Sequence, residues 1–193
     1  SEQKSFEEHL PDSGGAGTPD QALSATHGSV IADDRDLIED DRVLLIIEDD
    51  PTFAKIILDL AREKGFKGIV AMRGLQALEL ARSHKPDAIT LDIHMPDIDG
   101  WTILDALKHD PELRHIPVDV ITAEDYPLRA LSQGAFRYLT KPVSHLQLAT
   151  TMDATRTFLD RPVKNLLLVT FDKDEQKQIT DLLGDGDITI AHA

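Results

Sequence analysis

Cysteine is absent from the sequence, and this absence excludes disulfide bonds and metal sites built on thiolates. Long apolar segments are absent too, since no run approaches the roughly 20 residues that span a membrane. The first residues lack the basic stretch and the apolar stretch of a secretory signal. We therefore expect a soluble, cytoplasmic chain that makes no contact with a membrane.

Positive charge is scarce, with 20 Lys and Arg residues against 35 Asp and Glu residues and a net charge of −15. The sequence contains neither a stripe of basic residues nor a basic recognition helix. Because an acidic surface disfavours binding to a phosphate backbone, nucleic acid is not expected as a partner.

The negative charge is concentrated in residues 1–41, which hold eleven acidic residues and two basic ones. The same segment contains the glycine-rich stretch Gly14-Gly15-Ala16-Gly17 and little apolar periodicity. Such a composition buries too little apolar surface to offset the entropy that is lost on ordering. We predict a flexible acidic linker over residues 1–41.

From residue 42 onward, short apolar runs alternate with segments of helical periodicity. The pattern predicts strands at 43–47, 68–71, 87–92, 118–122 and 136–139, with helices at about 51–65, 74–83, 100–108, 126–133 and 144–159. Right-handed crossovers then place helices on both faces of the sheet. Residues 42–160 are therefore predicted to form an α/β domain, a (βα)5 doubly wound parallel sheet whose strands all end at one edge.

Three carboxylates follow two of these strands. Glu48 and Asp49 come after the first strand, and Asp92 ends the third strand, before a turn that closes at Gly100. If these strands are neighbours, the three carboxylates face one another at the edge where open α/β sheets place their ligands. Like charges at such distances need a cation between them, and oxygen ligands of this kind suit Mg²⁺.

The last two strands add a hydroxyl group and an ammonium group at the same edge. Thr122 ends the fourth strand, and Lys141 follows the fifth strand directly before Pro142. Three acids, a hydroxyl and a lysine favour phosphoryl transfer: Asp92 attacks phosphorus, Mg²⁺ and Lys141 neutralise the phosphoryl oxygens, and Thr122 donates a hydrogen bond.

The motifs that carry these groups resemble those of the receiver domain of two-component response regulators. They are Ile47-Glu-Asp-Asp-Pro51, Leu91-Asp-Ile-His-Met-Pro-Asp-Ile-Asp-Gly100, Ile121-Thr-Ala123 and Tyr138-Leu-Thr-Lys-Pro142. The resemblance covers about residues 42–160. It implies a flavodoxin-like (CheY-like) sheet with strand order 2-1-3-4-5. It also implies phosphorylation, with Mg²⁺, by a histidine kinase or a histidine phosphotransfer domain.

The resemblance assigns a role to each residue of the site. Asp92 is the expected phosphoacceptor, and the expected Mg²⁺ ligands are Glu48, Asp49, Asp92 and the backbone carbonyl of His94. Thr122 is the expected switch hydroxyl and Lys141 the lysine that pairs with the phosphoryl group. Tyr138 is the aromatic residue expected to turn inward on activation, which changes a partner-binding face around strand five. The Lys141-Pro142 bond is expected to be cis, and His94 and Glu124 are expected to influence the lifetime of the phosphoryl group.

Residues 43–71 and 165–193 align over 29 residues, with identities such as Asp50/Asp172 and Leu60/Leu182. The second copy has Thr170-Phe171 where the first has the acidic pair. We predict that residues 161–193 begin a second, degenerate receiver-like repeat that is truncated here. A linker before one receiver and a second receiver-like unit after it resemble part of a hybrid sensor histidine kinase.

From this context we expect a phosphoacceptor domain, not a stand-alone enzyme, within a parent protein that is itself a histidine kinase. One alternative is a receiver in a multi-receiver response regulator without a kinase core. The other is a Mg²⁺-dependent phosphohydrolase on the same fold. Such enzymes place a second Asp two residues after the nucleophile, where this sequence has His94.

Overall fold

The computed structural model describes residues 31–39, 41–161, 164–170, 172–183 and 188–192. Most of the predicted acidic linker, residues 1–30, lies outside the described residues, as does Phe171 of the predicted repeat. Within the described ranges, no helix is both long enough and apolar enough to cross a membrane.

Five parallel strands alternate with five helices. They are β1 (Arg42–Ile47), α1 (Pro51–Glu63), β2 (Phe66–Ala71), α2 (Gly74–His84), β3 (Ala88–Leu91), α3 (Gly100–His109), β4 (Val118–Thr122), α4 (Pro127–Ser132), β5 (Arg137–Thr140) and α5 (His145–Leu159). The strands form one sheet in the order β2-β1-β3-β4-β5. The predicted doubly wound sheet and its strand order are confirmed.

The interior strand β1 shows why the sheet is covered on both sides. All its residues from Val43 to Ile47 are buried, and successive side chains enter opposite core clusters. Leu45 and Ile47 pack with residues of α2 and α3, whereas Leu44 and Ile46 pack with residues of α1 and α5. Because side chains alternate along a strand, a continuous apolar run supplies both faces of a buried parallel sheet.

Local capping residues set where three of the helices begin. The Asp50 side chain accepts a hydrogen bond from the Thr52 backbone N–H, directly before Pro51 at the start of α1. Asp99 caps α3 by accepting from the Trp101 backbone N–H, and Ser144 forms a capping box at α5. Each cap satisfies backbone donors that the first helical turn leaves open. Since α1, α3 and α5 follow the carboxyl ends of β1, β3 and β5, these caps lie at that edge of the sheet.

Part of the predicted linker packs along the edge strand β2. The Asp34 backbone N–H donates to the Gly68 carbonyl at 2.9 Å, and the Gly68 N–H donates back to the Asp34 carboxylate at 2.9 Å. The Val70 N–H donates to the Asp33 carboxylate at 2.8 Å, and Arg62 forms an ion pair with Asp34 at 2.8 Å. Asp33 and Asp34 thus bind backbone N–H and C=O groups that an edge strand leaves unpaired. The segment around these two residues therefore differs from a free tether.

A second strand-helix-strand unit follows, with β6 (Lys164–Leu168), α6 (Lys173–Leu183) and β7 (Ile188–His192). Strands β6 and β7 pair in parallel in a two-stranded sheet of their own. Arg42 pairs with Phe66 in the first sheet and Lys164 pairs with Ile188 in the second, so the partners lie 24 positions apart in both. The two units share their element order and register, and the assignment of a degenerate receiver-like repeat stays a prediction.

Candidate functional site

The carboxyl ends of β1 and β3 lie side by side and bring the predicted carboxylates together. Ile47 pairs with Leu91, and the Asp92 backbone N–H donates to the Ile47 carbonyl at 2.9 Å. Glu48 and Asp92 are buried, whereas Asp49 is exposed. Each of the three offers an oxygen atom, and these atoms lie within 4.8 Å of one another. This geometry follows from the parallel register, which brings residues after neighbouring strands to one edge.

Lys141 reaches the same carboxylates from the end of β5. Its Nζ atom lies 2.5 Å from Oδ2 of Asp92 and 2.8 Å from Oε2 of Glu48. Its backbone N–H donates to the Thr122 carbonyl at 2.7 Å, which places the lysine beside the end of β4. The Lys141-Pro142 bond is cis, as predicted. The structure thus brings the predicted lysine into direct contact with the predicted phosphoacceptor.

Burial and charge shift the pKa values of two of these groups. Burial raises the pKa of Glu48 to about 7, against the opposing hydrogen bond from Lys141, and the nearby Asp92 charge adds to the rise. For Lys141, burial lowers the pKa, but the hydrogen bonds to Asp92 and Glu48 outweigh it and hold the pKa above its usual value. Burial thus disfavours the charged form of Glu48 even with Lys141 beside it. Three oxygen donors in that environment fit a hard divalent cation such as Mg²⁺.

The loop after β3 orients Asp92 through backbone contacts. The His94 backbone N–H donates to Oδ1 of Asp92 at 3.1 Å, while Lys141 binds Oδ2. The Gly100 N–H donates to the Ile93 carbonyl at 2.9 Å, and a Cβ atom on Gly100 would lie 2.6 Å from the Asp92 carbonyl oxygen. Only glycine therefore allows the loop to close directly against Asp92, the predicted phosphoacceptor. The predicted role of the His94 carbonyl as a ligand stays a prediction.

The predicted switch residues meet at the loop after β4. The buried Thr122 hydroxyl accepts a hydrogen bond from the Glu124 backbone N–H at 3.4 Å. Tyr138 is half-buried against the core, and its hydroxyl donates to the Glu124 carbonyl and accepts from the Tyr126 N–H at 3.0 Å. Thr122 and Tyr138 are thus joined through the backbone of one residue.

Trp101 is a residue at this site that the sequence patterns did not single out. Its indole N–H donates to Oε2 of Glu124 at 3.2 Å, and Oε1 of Glu124 lies 3.5 Å from Nε2 of His94. One signal could have found it, because it is the single tryptophan of the chain and directly follows Gly100. Helix α3, which carries Trp101, begins directly after the loop that contains Asp92, so the tryptophan side chain is close to the site.

A buried carboxylate held by a lysine at the carboxyl edge of a (βα)5 sheet is the arrangement that the resemblance to receiver domains implies. The sequence profile described as the response regulator receiver domain matches residues 44–153. The chain therefore belongs to the response regulator receiver domain family, as the resemblance predicted. It is a receiver domain of two-component signalling.

Individual relatives agree with this assignment. The polar-differentiation response regulator DivK of Brucella anthropi is 39% identical over 104 residues, which cover 52% of this chain and 85% of DivK. The signal receiver domain of a signal transduction histidine kinase from Syntrophus aciditrophicus is 32% identical, with a TM-score of 0.57 over 62% of this chain and 93% of that one. A Francisella response regulator receiver domain is 29% identical, with a TM-score of 0.56 over 61% and 98% of the two chains.

Proposed function

We propose that this chain accepts a phosphoryl group on Asp92 from the phosphohistidine of a histidine kinase or a histidine phosphotransfer domain. The contact between Lys141 and both buried carboxylates carries the proposal, with Nζ 2.5 Å from Asp92 and 2.8 Å from Glu48. An ammonium group held at a buried carboxylate is placed to pair with the oxygens of a phosphoryl group that forms there.

In the proposed reaction, an Asp92 carboxylate oxygen attacks phosphorus and forms an acyl phosphate. The phosphorus–nitrogen bond of the donor breaks, and the imidazole leaves with the electron pair of that bond. Lys141 pairs with a phosphoryl oxygen, and the Thr122 hydroxyl donates a hydrogen bond to another. Glu48, Asp49, Asp92 and the His94 carbonyl would hold Mg²⁺, which supplies further neutralisation of the phosphoryl charge when it is bound.

The acyl phosphate would then bias a two-state element of the domain. As Thr122 turns toward the phosphoryl group, it leaves space that the inward Tyr138 ring fills, so the inward state becomes more populated and the surface around β5 changes. Exposed leucines surround that surface, on α4 at Leu128 and Leu131 and at the start of α5 at Leu146. Contiguous apolar patches mark binding surfaces, and we propose that these leucines belong to such a patch for a protein partner at the β5 face.

For the parent protein, we propose a hybrid sensor histidine kinase, with this domain located in the cytoplasm. The likeness to a histidine kinase receiver from Syntrophus aciditrophicus supports this context, and so does the second unit with matching register. The likeness to DivK, a response regulator, supports the part of the alternative that has no kinase core. In either context, the second unit has Thr170 in place of an acidic residue and is proposed not to bind Mg²⁺.

The test is two-dimensional NMR of the full chain with Mg²⁺ and either acetyl phosphate or beryllofluoride. We expect Mg²⁺-dependent shifts at Thr122, Tyr138 and Lys141 in the wild-type chain. Asp92→Ala should abolish them, whereas Asp105→Asn, which changes an exposed carboxylate on α3, should leave them intact. A wild-type chain that does not respond, or an Asp92→Ala variant that responds equally, would contradict the proposal.

A further inference from the structure

The side chain of Trp101 is held between two helices beside the loop after β4. It is 5% exposed, and the Asp99 cap binds its backbone N–H at the start of α3. The Arg129 guanidinium of α4 lies 4.1 Å from the centre of the indole ring. These contacts leave the ring little freedom, so its N–H has a fixed direction toward the Glu124 carboxylate, 3.2 Å away.

Glu124 connects this tryptophan to the two proposed switch residues. Its carboxylate binds the indole N–H and lies beside His94, and 24% of its side chain is exposed. Its backbone N–H donates to the Thr122 hydroxyl, and its backbone carbonyl accepts from the Tyr138 hydroxyl. A constraint on the Glu124 side chain therefore acts on the backbone atoms that contact Thr122 and Tyr138.

We propose that Trp101 is a positioning residue for the conformational switch. Its indole N–H holds Glu124 so that the carbonyl of that residue can bind the Tyr138 hydroxyl. Hydrogen bonds to a carboxylate are stronger than those between neutral groups, and a partly buried carboxylate that loses its donor incurs a desolvation cost unless it moves toward another donor or water. This inference rests on the proposed function, since it concerns the response of the chain to phosphorylation.

The direction of the effect follows from the position of Tyr138. Its ring packs against the core while its hydroxyl is bound to the loop, and we take this to be the inward arrangement that the proposed switch favours after phosphorylation. Trp101 therefore stabilises the state that the phosphoryl group selects. A ligand that prefers this state binds more weakly when the state is less populated.

Trp101→Phe keeps an aromatic ring for packing but removes the N–H donor. We expect it to weaken the apparent affinity for beryllofluoride, measured at saturating Mg²⁺, about fivefold, the factor that corresponds to about 1 kcal/mol. The affinity for Mg²⁺ alone should not change, because binding to the acidic cluster does not require Tyr138 to turn inward. A merely structural defect would weaken both affinities and lower the melting temperature.

The experiment titrates the full chain with Mg²⁺ and then with beryllofluoride, and it follows the amide resonances of Tyr138 and Lys141. The variants are Trp101→Phe, Glu124→Ala, their double mutant, Glu124→Gln and the exposed control Thr102→Ser. We expect the double mutant to match each single mutant, because both remove one interaction. Glu124→Gln keeps an acceptor oxygen and should stay near the wild type.

A second readout needs no substitution at Trp101. The chain has a single tryptophan, so its indole N–H gives one resonance, and this should move upfield in Glu124→Ala but not in Thr102→Ser. An indole resonance that does not move, wild-type beryllofluoride affinity in Trp101→Phe, or additive losses in the double mutant would each overturn the inference. A wild-type chain without any response to beryllofluoride would instead overturn the proposed function on which the inference rests.

Discussion

The carboxylate of Asp119 accepts a hydrogen bond from the Thr155 hydroxyl at 2.7 Å, in the buried layer between β4 and α5. Arg137 approaches the same hydroxyl at 2.9 Å from β5. The second oxygen of Asp119, Oδ1, has no hydrogen-bond partner among the described residues. Asp119 is only 3% exposed, so an acidic group with one unsatisfied oxygen lies inside the domain.

This carboxylate should make the stability of the domain depend on pH. Burial raises the pKa of Asp119 to about 6, although the Thr155 hydrogen bond and the Arg137 charge oppose the rise. Because the folded-state pKa lies above the unfolded one, the folded state binds the proton more tightly. The stability that protonated Asp119 contributes to the folded state is fully present below about pH 4. It is lost as the pH rises through about 6.

Asp119→Asn keeps the size of the side chain and removes its charge. We expect the free energy of unfolding to rise relative to the wild type, by about 2 kcal/mol more at pH 8 than at pH 4. Urea unfolding at the two pH values measures this difference. The exposed Asp105→Asn serves as the control, and an equal effect of Asp119→Asn at both pH values would refute the prediction.

The contact between residue 34 and strand β2 should stabilise the domain. Asp34→Ala removes the acceptor of the Gly68 N–H and the partner of Arg62. We expect a loss of about 1–3 kcal/mol in the free energy of unfolding and faster hydrogen exchange at the Gly68 amide. Asp36→Ala, at an exposed residue of the same segment, should change neither quantity. Equal stability of the two variants would show that the segment is a free tether.

Lys141 and a divalent cation are expected to compete for the same carboxylate oxygens. Lys141→Met removes the ammonium group that lies beside Asp92 and Glu48. We predict that it tightens Mg²⁺ binding at least about threefold, because a positive charge a few ångströms from the ion is removed. The same variant should lose the response to beryllofluoride. Titration of Lys55→Met, at an exposed lysine of α1, provides the comparison, and weaker Mg²⁺ binding in Lys141→Met would contradict the prediction.

Gly100 should tolerate no side chain. A Cβ atom there would meet the backbone of Ile93 and lie 2.6 Å from the Asp92 carbonyl oxygen, and backbone atoms cannot move aside as a side chain does. We expect Gly100→Ala to lower the free energy of unfolding by about 1–3 kcal/mol and to weaken Mg²⁺ binding. At Gly68 the nearest obstacle is a side-chain atom of Leu58, so Gly68→Ala should leave Mg²⁺ affinity unchanged. The two variants are compared by urea unfolding and by Mg²⁺ titration.

Much of the fold could be predicted because its signals are local. The apolar run of β1 and the cap formed by Asp50 and Pro51 are patterns that a few neighbouring residues define. Helix α4 is shorter than its pattern predicted, Pro127–Ser132 instead of about 126–133. The packing of residues 31–38 was not predicted, since acidic composition indicates a linker whether or not its carboxylates find the backbone donors of an edge strand.

The sequence by itself determined the family, the order of the elements and the set of residues at the carboxyl edge. Parallel strands bring the residues after them to one edge whatever their separation along the chain. Only the tertiary structure decided which of these groups touch. Lys141 reaches Glu48 across 93 positions, and Trp101 reaches Glu124 across 23. Contacts of this kind depend on the direction of the side chains and on distances of a few ångströms. The pattern of apolar residues along the sequence carries no information about either quantity.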